Sequence, residues 1–271
     1  MFVWCSSIFL LFVFYVNPAF AHEPIFSVGP ETIYRGGLGI EAEIEHDRGD
    51  NKRETAVDYE IIFGITEDIS LTARLPYIIE KRDNAKTSQG IGEAAFRGKY
   101  QVYKKDRLGA QDKVALIYGL KIPTGDKDKT PPLGSGSFDH IFGISLGHES
   151  TTLYGFATGR YLLNSSSDNK DKGDRVIIDI AFGFRPWLRP YRSWDFVLLI
   201  ENSYIVSYKD EINGIREKGS GGEELFSGPT FLWSIRNLMV KGGIQFSIWE
   251  DLNGNQDETD FRSVIAVEYH N

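Results

Sequence analysis

Leu38-Gly39-Ile40-Glu41-Ala42-Glu43-Ile44-Glu45 sets an apolar side chain on every even position and glycine or glutamate on every odd one. Successive side chains of an extended strand point to opposite faces, so this stretch has one greasy face and one acidic face. Two architectures use such a strand. In a soluble sandwich the greasy face meets a second sheet. In an outer-membrane barrel it meets lipid, and the charged face lines a lumen.

The same alternation runs from about Arg35 to Tyr269 and marks about twelve strands. The first covers about Tyr34–Glu45. The second has Val57, Tyr59, Ile61, Phe63 and Ile65 on one face and Asp58 and Glu60 on the other. In the third, Ile69, Leu71, Ala73, Leu75 and Tyr77 oppose Ser70, Thr72 and Arg74; in the fourth, Ala94, Phe96, Gly98, Tyr100 and Val102 oppose Glu93, Arg97, Lys99 and Gln101. The fifth shows Val114, Leu116, Tyr118, Leu120 and Ile122, and the sixth Phe138, Phe142, Ile144 and Leu146 with His140 interrupting. Thr152–Leu163 is a mixed seventh. The eighth sets Val176, Ile178, Ile180, Phe182 and Phe184 against Asp179 and Arg185, and the ninth sets Phe196, Leu198, Ile200, Tyr204, Val206 and Tyr208 against Glu201. Phe231, Trp233 and Ile235 mark the tenth. Val240, Ile244, Phe246 and Ile248 oppose Lys241 and Gln245 in the eleventh, and Phe261, Ile265, Val267 and Tyr269 oppose Arg262 and Glu268 in the twelfth.

The connections alternate in kind. His46–Glu54, Glu80–Gly90, Thr124–Gly136, Asn164–Asp174, Lys209–Gly222 and Asp251–Asp260 are long and polar. Thr66–Asp68, Lys104–Asp112, Glu149–Thr151, Pro186–Trp194 and Arg236-Asn237 are shorter on average. Long loops outside and short turns in the periplasm are the bacterial barrel pattern, and an even strand count puts both termini in the periplasm. Aromatics near strand ends (Tyr77, Tyr103, Trp187, Trp194, Tyr208, Trp249) suit interface girdles. Strands of about ten residues exceed the five or six usual in sandwiches. The expectation is an all-β chain: a transmembrane antiparallel β-barrel of about twelve strands in an up-and-down meander over residues 22–271.

Residues 1–21 read as a signal peptide. Ile8 to Val16 is a short apolar core, and Ala19-Phe20-Ala21 is a small-x-small cleavage site, although no Lys or Arg precedes the core. Export to the outer membrane of a Gram-negative envelope follows. Cys5 is the only cysteine, which excludes a disulfide-stapled fold for the mature chain. The mean hydropathy of -0.26 is compatible with a membrane barrel, because only half of each barrel strand is apolar. The net charge of -8 points away from nucleic acid.

Three motifs carry a family resemblance. Gly90-Ile91-Gly92-Glu93 leads to Lys99-Tyr100; Leu120-Lys121-Ile122-Pro123-Thr124-Gly125-Asp126 follows; then comes Leu133-Gly134-Ser135-Gly136-Ser137. Together they resemble the outer-membrane transporter family named for the meta-pathway of phenol degradation, from roughly Gly36 to the C-terminus. The resemblance implies a lipid-embedded barrel, and its family label implies aromatic permeants. Glu93 stands where such proteins tend to carry Asp. Tyr269, followed by His270-Asn271, takes the place of the terminal aromatic read by the barrel-assembly machinery.

The inward charges are the candidate site. Arg74, Glu93, Arg97, Lys99, Lys121, Asp126, Asp139, Asp179, Arg185 and Lys241 are expected to line the lumen and set charge selectivity. Arg74, Lys99, Lys121 and Asp126 are the constriction candidates; the Pro123–Ser137 loop either folds inward, with Asp126 and Lys127 at an eyelet, or stays in solvent, stiffened by Pro131-Pro132. Asp251-x-Asn253-x-Asn255-x-Asp257 resembles the start of a calcium loop, but Gln256 replaces the required glycine and Arg262 the bidentate glutamate, so a polar surface loop is the better reading. His22, at the expected new amino terminus, offers an amine and an imidazole that could chelate a transition metal, whereas His46, His140, His148 and His270 are scattered with no ligand spacing, so a metal site is the minor reading. No metal or cofactor is expected. No hydrolase motif occurs, and His140 and Ser145 fall on opposite faces of one strand, so no catalytic residues are assigned. The expected function is a narrow channel or transporter for small molecules, with outer-membrane lipid and the permeant as partners and the oligomeric state open. A non-conducting structural or adhesive barrel is the alternative, and a membrane-embedded hydrolase a remote one.

Overall fold

The computed structural model describes residues 23–168, 170–190 and 193–271. The expected signal peptide, its cleavage site and His22 lie outside these residues. The strands are β1 (Leu38–Arg48), β2 (Lys52–Gly64), β3 (Ile69–Asp83), β4 (Lys86–Ile91), β5 (Ala95–Arg107), β6 (Ala110–Lys121), β7 (Asp139–Ser150), β8 (Leu153–Leu163), β9 (Lys170–Asp171), β10 (Arg175–Phe184), β11 (Asp195–Ser207), β12 (Glu211–Ile212), β13 (Ile215–Arg216), β14 (Gly222–Ile235), β15 (Leu238–Leu252) and β16 (Phe261–His270).

Twelve of them form the wall: β1, β2, β3, β5, β6, β7, β8, β10, β11, β14, β15 and β16. Each pairs antiparallel with its neighbours in chain order, and β1 closes on β16, with Ile40 opposite Tyr269 and Ile44 opposite Ile265. The expected meander is therefore a closed twelve-stranded barrel. Closure gives every wall strand two partners, as a sheet surrounded by lipid requires. The short β4 extends one edge by pairing with the end of β3, and β9, β12 and β13 make a small separate sheet in the connecting loops.

The two faces divide as the alternation demands. Ile40, Ile61, Leu71, Phe96, Tyr118, Ile144, Ile180, Ile200 and Ile265 point outward and stay 40–53% exposed. Among the described residues no second sheet packs on them, which removes the sandwich. So continuous an apolar band far exceeds what a soluble monomer shows, and lipid is the environment it fits. Asp58, Ser70, Lys99, Asp139, Asp179, Glu201, Lys241 and Gln245 point inward and are buried.

Strand ends differ from the sequence-based expectation where the barrel leaves the lipid. β3 runs on to Asp83 and β5 to Arg107, because a strand that projects into water tolerates charge on both faces. Lys104–Asp112 thereby shrinks to the turn Leu108-Gly109, and His46–Glu54 to Gly49–Asn51. Pro186–Trp194, by contrast, belongs to a genuinely long connection on the rim that holds the chain ends. β14 begins at Gly222, well before Phe231; its ladder to β15 lapses at Gly228 and Pro229, where proline has no N–H to give. Residues 34–37 turn ahead of β1: the Gly37 N–H donates to the Tyr34 carbonyl at 2.9 Å, Gly36 takes φ +77, which glycine adopts without strain, and both glycines still bond Gly64 of β2, through the Gly36 N–H at 2.8 Å and the Gly37 carbonyl at 3.0 Å.

Ion pairs buckle the closing seam from inside. Lys241 on β15 reaches Glu41 of β1 at 2.9 Å and Glu268 of β16 at 3.2 Å, and His270 Nε2 lies 2.5 Å from Glu268. Substituting Lys241→Met leaves two buried carboxylates without their cation and should cost about 3–5 kcal/mol. A lower temperature for loss of the folded, fast-migrating band in unboiled gels would register it; an unchanged temperature would show the seam is held by its ladder alone. Ile180→Lys puts a charge in the lipid-facing band and should cost about 2–4 kcal/mol and block insertion into vesicles. Normal insertion would place Ile180 away from mid-membrane.

Candidate functional site

The lumen is not empty. Residues 23–34, ahead of the first strand, fold into it and lie across it. They enter at the rim that holds the chain ends, where the Thr32 hydroxyl donates to the Glu67 carbonyl at 2.8 Å. Glu31 is buried, with Lys113 Nζ 3.5 Å away, and the same lysine lies 3.7 Å from Glu149. Deeper in, the Val28 carbonyl accepts bonds from Ser145 Oγ at 2.7 Å and Thr158 Oγ1 at 2.8 Å. The segment then turns so that the N–H groups of Ile25 and Phe26 both donate to the Glu201 carboxylate at 2.9 Å. Thr230 Oγ1 also donates to Glu201, at 2.8 Å. Glu23 ends the path in an ion pair with Lys99, whose ammonium also reaches the Gly29 carbonyl at 3.3 Å.

Strands on both sides of the lumen hold this plug, and their side chains satisfy backbone groups that a non-helical, non-sheet segment leaves open. Its apolar residues find matching patches. Ile25 packs on a cluster of Tyr154, Phe156, Ala181, Val197, Leu199, Leu232 and Met239, all inward-facing. Arg262 lies 4.1 Å from the ring centroid of Phe226 and 5.5 Å from that of Phe26. One half of the inner wall near the chain-end rim is therefore apolar and filled.

The other half is polar and hollow. A cavity of about 700 Å³ runs beside the plug. Its lining begins near the chain-end rim at Lys104, Gln111, Arg236 and Asn237, follows Glu41, Glu43, Glu45 and Glu60, and reaches Asp47 and Arg175 near the opposite rim. Many lumen charges are paired within the wall. Arg74 binds Asp58 and Glu45, the latter at 3.1 Å, and Arg97 binds Glu60 at 3.1 Å. Arg160 meets Asp179 at 2.7 Å, and Arg185 meets Asp195 at 2.7 Å and the Thr151 carbonyl at 2.9 Å. The carboxylates of Glu43, Glu45 and Asp58 offer oxygens within 4.8 Å of one another, but the Arg74 guanidinium already serves two of them.

Of the constriction candidates, Arg74 and Lys99 line the cavity, as do Arg97 and Lys241. Lys121 stands apart from it, between Glu93 at 2.7 Å and Asp139 at 2.5 Å. In register, Lys99 faces Ile117 and Lys121 faces Ala95, so the two lysines sit four residues apart along β6. The Lys121 cluster holds the following loop: Glu93 accepts from the Ser135 N–H at 2.6 Å and its hydroxyl at 2.8 Å, and Asp139 accepts from Ser137 Oγ at 2.8 Å and the Ser165 N–H at 3.0 Å. That loop turns inward at Leu133, which packs on Ala56 and Ile78. Asp126 is exposed and accepts the Asp128 N–H at 3.0 Å. Lys127 is also exposed and pairs with Asp168 of the next loop, whose carboxyl it holds below the usual range.

Asp251 is still in β15, opposite Glu223. Asn253 and Asp257 tie loops together, bonding Ser220 at 3.1 Å and Asn51 at 3.0 Å. Ser145 serves the plug from inside, while His140 faces outward, 3.0 Å from the Tyr118 hydroxyl. The plug itself escaped the sequence reading. Its signal is Ile25, Phe26, Val28 and Ile33 among Pro24, Gly29 and Pro30: apolar residues with no strand to belong to.

Known proteins agree with this architecture. The crystal structure of the COG4313 outer membrane channel from Pseudomonas putida F1 superposes with a TM-score of 0.72 at 10% identity, covering 89% of this chain and 98% of that one. At that identity the likeness is one of fold. A structure from a study of in-meso crystallization of membrane proteins aligns at 13% identity over 86% of this chain and 83% of its own, with a TM-score of 0.41, too low to bear on the fold. None of the curated proteins matches. Residues 78–253, well over half of the chain, match the family model described as "Putative MetA-pathway of phenol degradation", and the chain belongs to that family.

Proposed function

We propose that this protein is an outer-membrane channel for small polar solutes that pass between its N-terminal plug and the acidic wall of β1 and β2. The observation that carries the reading is the cavity whose lining reaches from one rim to near the other beside residues 23–34. Water-filled and lined by charge, such a path discriminates by size and sign. Lys241, Arg74 and Arg97 serve Glu41, Glu45 and Glu60, whereas Glu43 makes no ion pair among the described residues, so the carboxylate left over on the β1 wall favours cations. The plug sets the size limit. With it displaced, the apolar patch now under Ile25 joins the path and accepts the body of an aromatic solute, which is how the family name bears on substrate. The ion-paired lumen favours the second reading, a barrel that conducts nothing and serves structure or adhesion.

Planar-bilayer recordings of purified protein separate the two. The channel reading expects small, cation-preferring conductance, and deletion of residues 23–31 should raise it several-fold. Silence from both the full-length and the deleted protein, each folded by its gel shift, leaves the structural barrel. Glu43→Gln together with Glu45→Gln should move the reversal potential toward anions. An unmoved reversal potential would put the selective wall elsewhere.

A further inference from the structure

Three arginines stand in one cross-strand row on the outside of the barrel. Arg48 at the end of β1 is directly opposite Arg53 of β2, and Arg53 is directly opposite Arg82 of β3. They share the outward face: two residues further into the barrel the row reads His46, Thr55 and Glu80, and beyond it Ile44, Val57 and Tyr77 of the apolar band. Like charges placed directly opposite one another destabilise a sheet, so such a row calls for a counter-charge. The protein supplies little. Arg48 has no ion pair among the described residues; Arg53 has only Glu80, at a long 3.9 Å; and the Arg82 Nε–H donates to the Asn84 carbonyl at 2.8 Å. The row lines a cleft of about 400 Å³ between the β1–β2 turn and the β3–β4 hairpin, with Lys52 as a fourth cation and Asp50 as its acid.

Its height narrows the occupant. Arg48 lies four residues beyond Ile44, roughly 14 Å along the strand or about 10 Å along the membrane normal at a tilt of about 40°. That is the depth of the headgroup layer. The rim is the one away from the chain ends, which the barrel reading turns outward, and the outer leaflet there is built of lipopolysaccharide. We propose that Arg48, Arg53 and Arg82 form a lipopolysaccharide site that grips the phosphates of the lipid A headgroup, guanidinium forks matching phosphate oxygens in pairs. The acyl chains then lie along Ile44, Val57 and Tyr77. The site needs the outward orientation of this rim but not a conducting lumen.

The test is native mass spectrometry of the purified barrel in detergent with bisphosphorylated lipid A, dephosphorylated lipid A, phosphatidylglycerol and inorganic phosphate as separate probes. The wild type should retain lipid A and lose it on dephosphorylation. The triple variant R48Q/R53Q/R82Q, checked as folded by its gel shift, should bind lipid A at least about tenfold more weakly. Equal retention by the triple variant, or of the dephosphorylated lipid, overturns the proposal. So does phosphatidylglycerol or inorganic phosphate held as tightly as lipid A, which would make this a general anion site. Should the triple variant not fold, R48Q and R82Q singly must each weaken lipid A binding; no loss in both overturns the site equally. Conductance recorded on the same folded variants should stay at the wild-type level, so a failed lipid test and a failed channel reading are told apart.

Discussion

Hydrocarbon offers a backbone N–H no partner, and this chain is organised around that fact. Each residue of a wall strand must find its hydrogen bonds in the next strand, and the last strand must return to the first. Pairing β1 with β16 satisfies the condition, and the period of two follows from it: once the sheet is a tube in lipid, odd and even positions face different solvents. The glutamates of β1 are tolerated because alternate side chains never meet the hydrocarbon.

Turning charge inward creates a second problem. Acidic and basic side chains confined in a narrow tube repel or pair, and here most pair, to the next strand, across an intervening one, or through the plug. The lumen is thus divided between an apolar sector that Ile25 completes and a charged sector that stays hollow. Selectivity in such a tube comes from the carboxylates left over after pairing, not from the total of inward charge.

The alternation is readable because lipid imposes it; Thr152–Leu163 is the weak case, mixed on both faces, because its inward Tyr154 and Phe156 are apolar too and form part of the seat of Ile25. What lay beyond lipid was less readable. The ends of β3 and β5 carry charge on both faces and look like loop. Arg74 and Lys99 were placed inward by parity alone, and they do line the cavity, but parity says nothing about partners: Glu23 for Lys99 comes from a segment 76 residues away with no period of its own. Asp126 was read from a motif, and its loop turns inward at Leu133 instead, an apolar residue finding Ala56 and Ile78. The arginine row depends on register, which alternation leaves open by whole pairs of residues.

The plug also has a place in time. Its residues are the first of the described chain to be made, yet its seat is built from the middle of the sequence: Thr158 is 130 residues from Val28, and Glu201 is 176 from Ile25. Contacts that far apart form late, after the loops between them have closed. The leading segment therefore waits, unseated, while β5 through β11 come into register. A chain halted before β11 lacks Glu201, and the N–H groups of Ile25 and Phe26 would then have only water to bond.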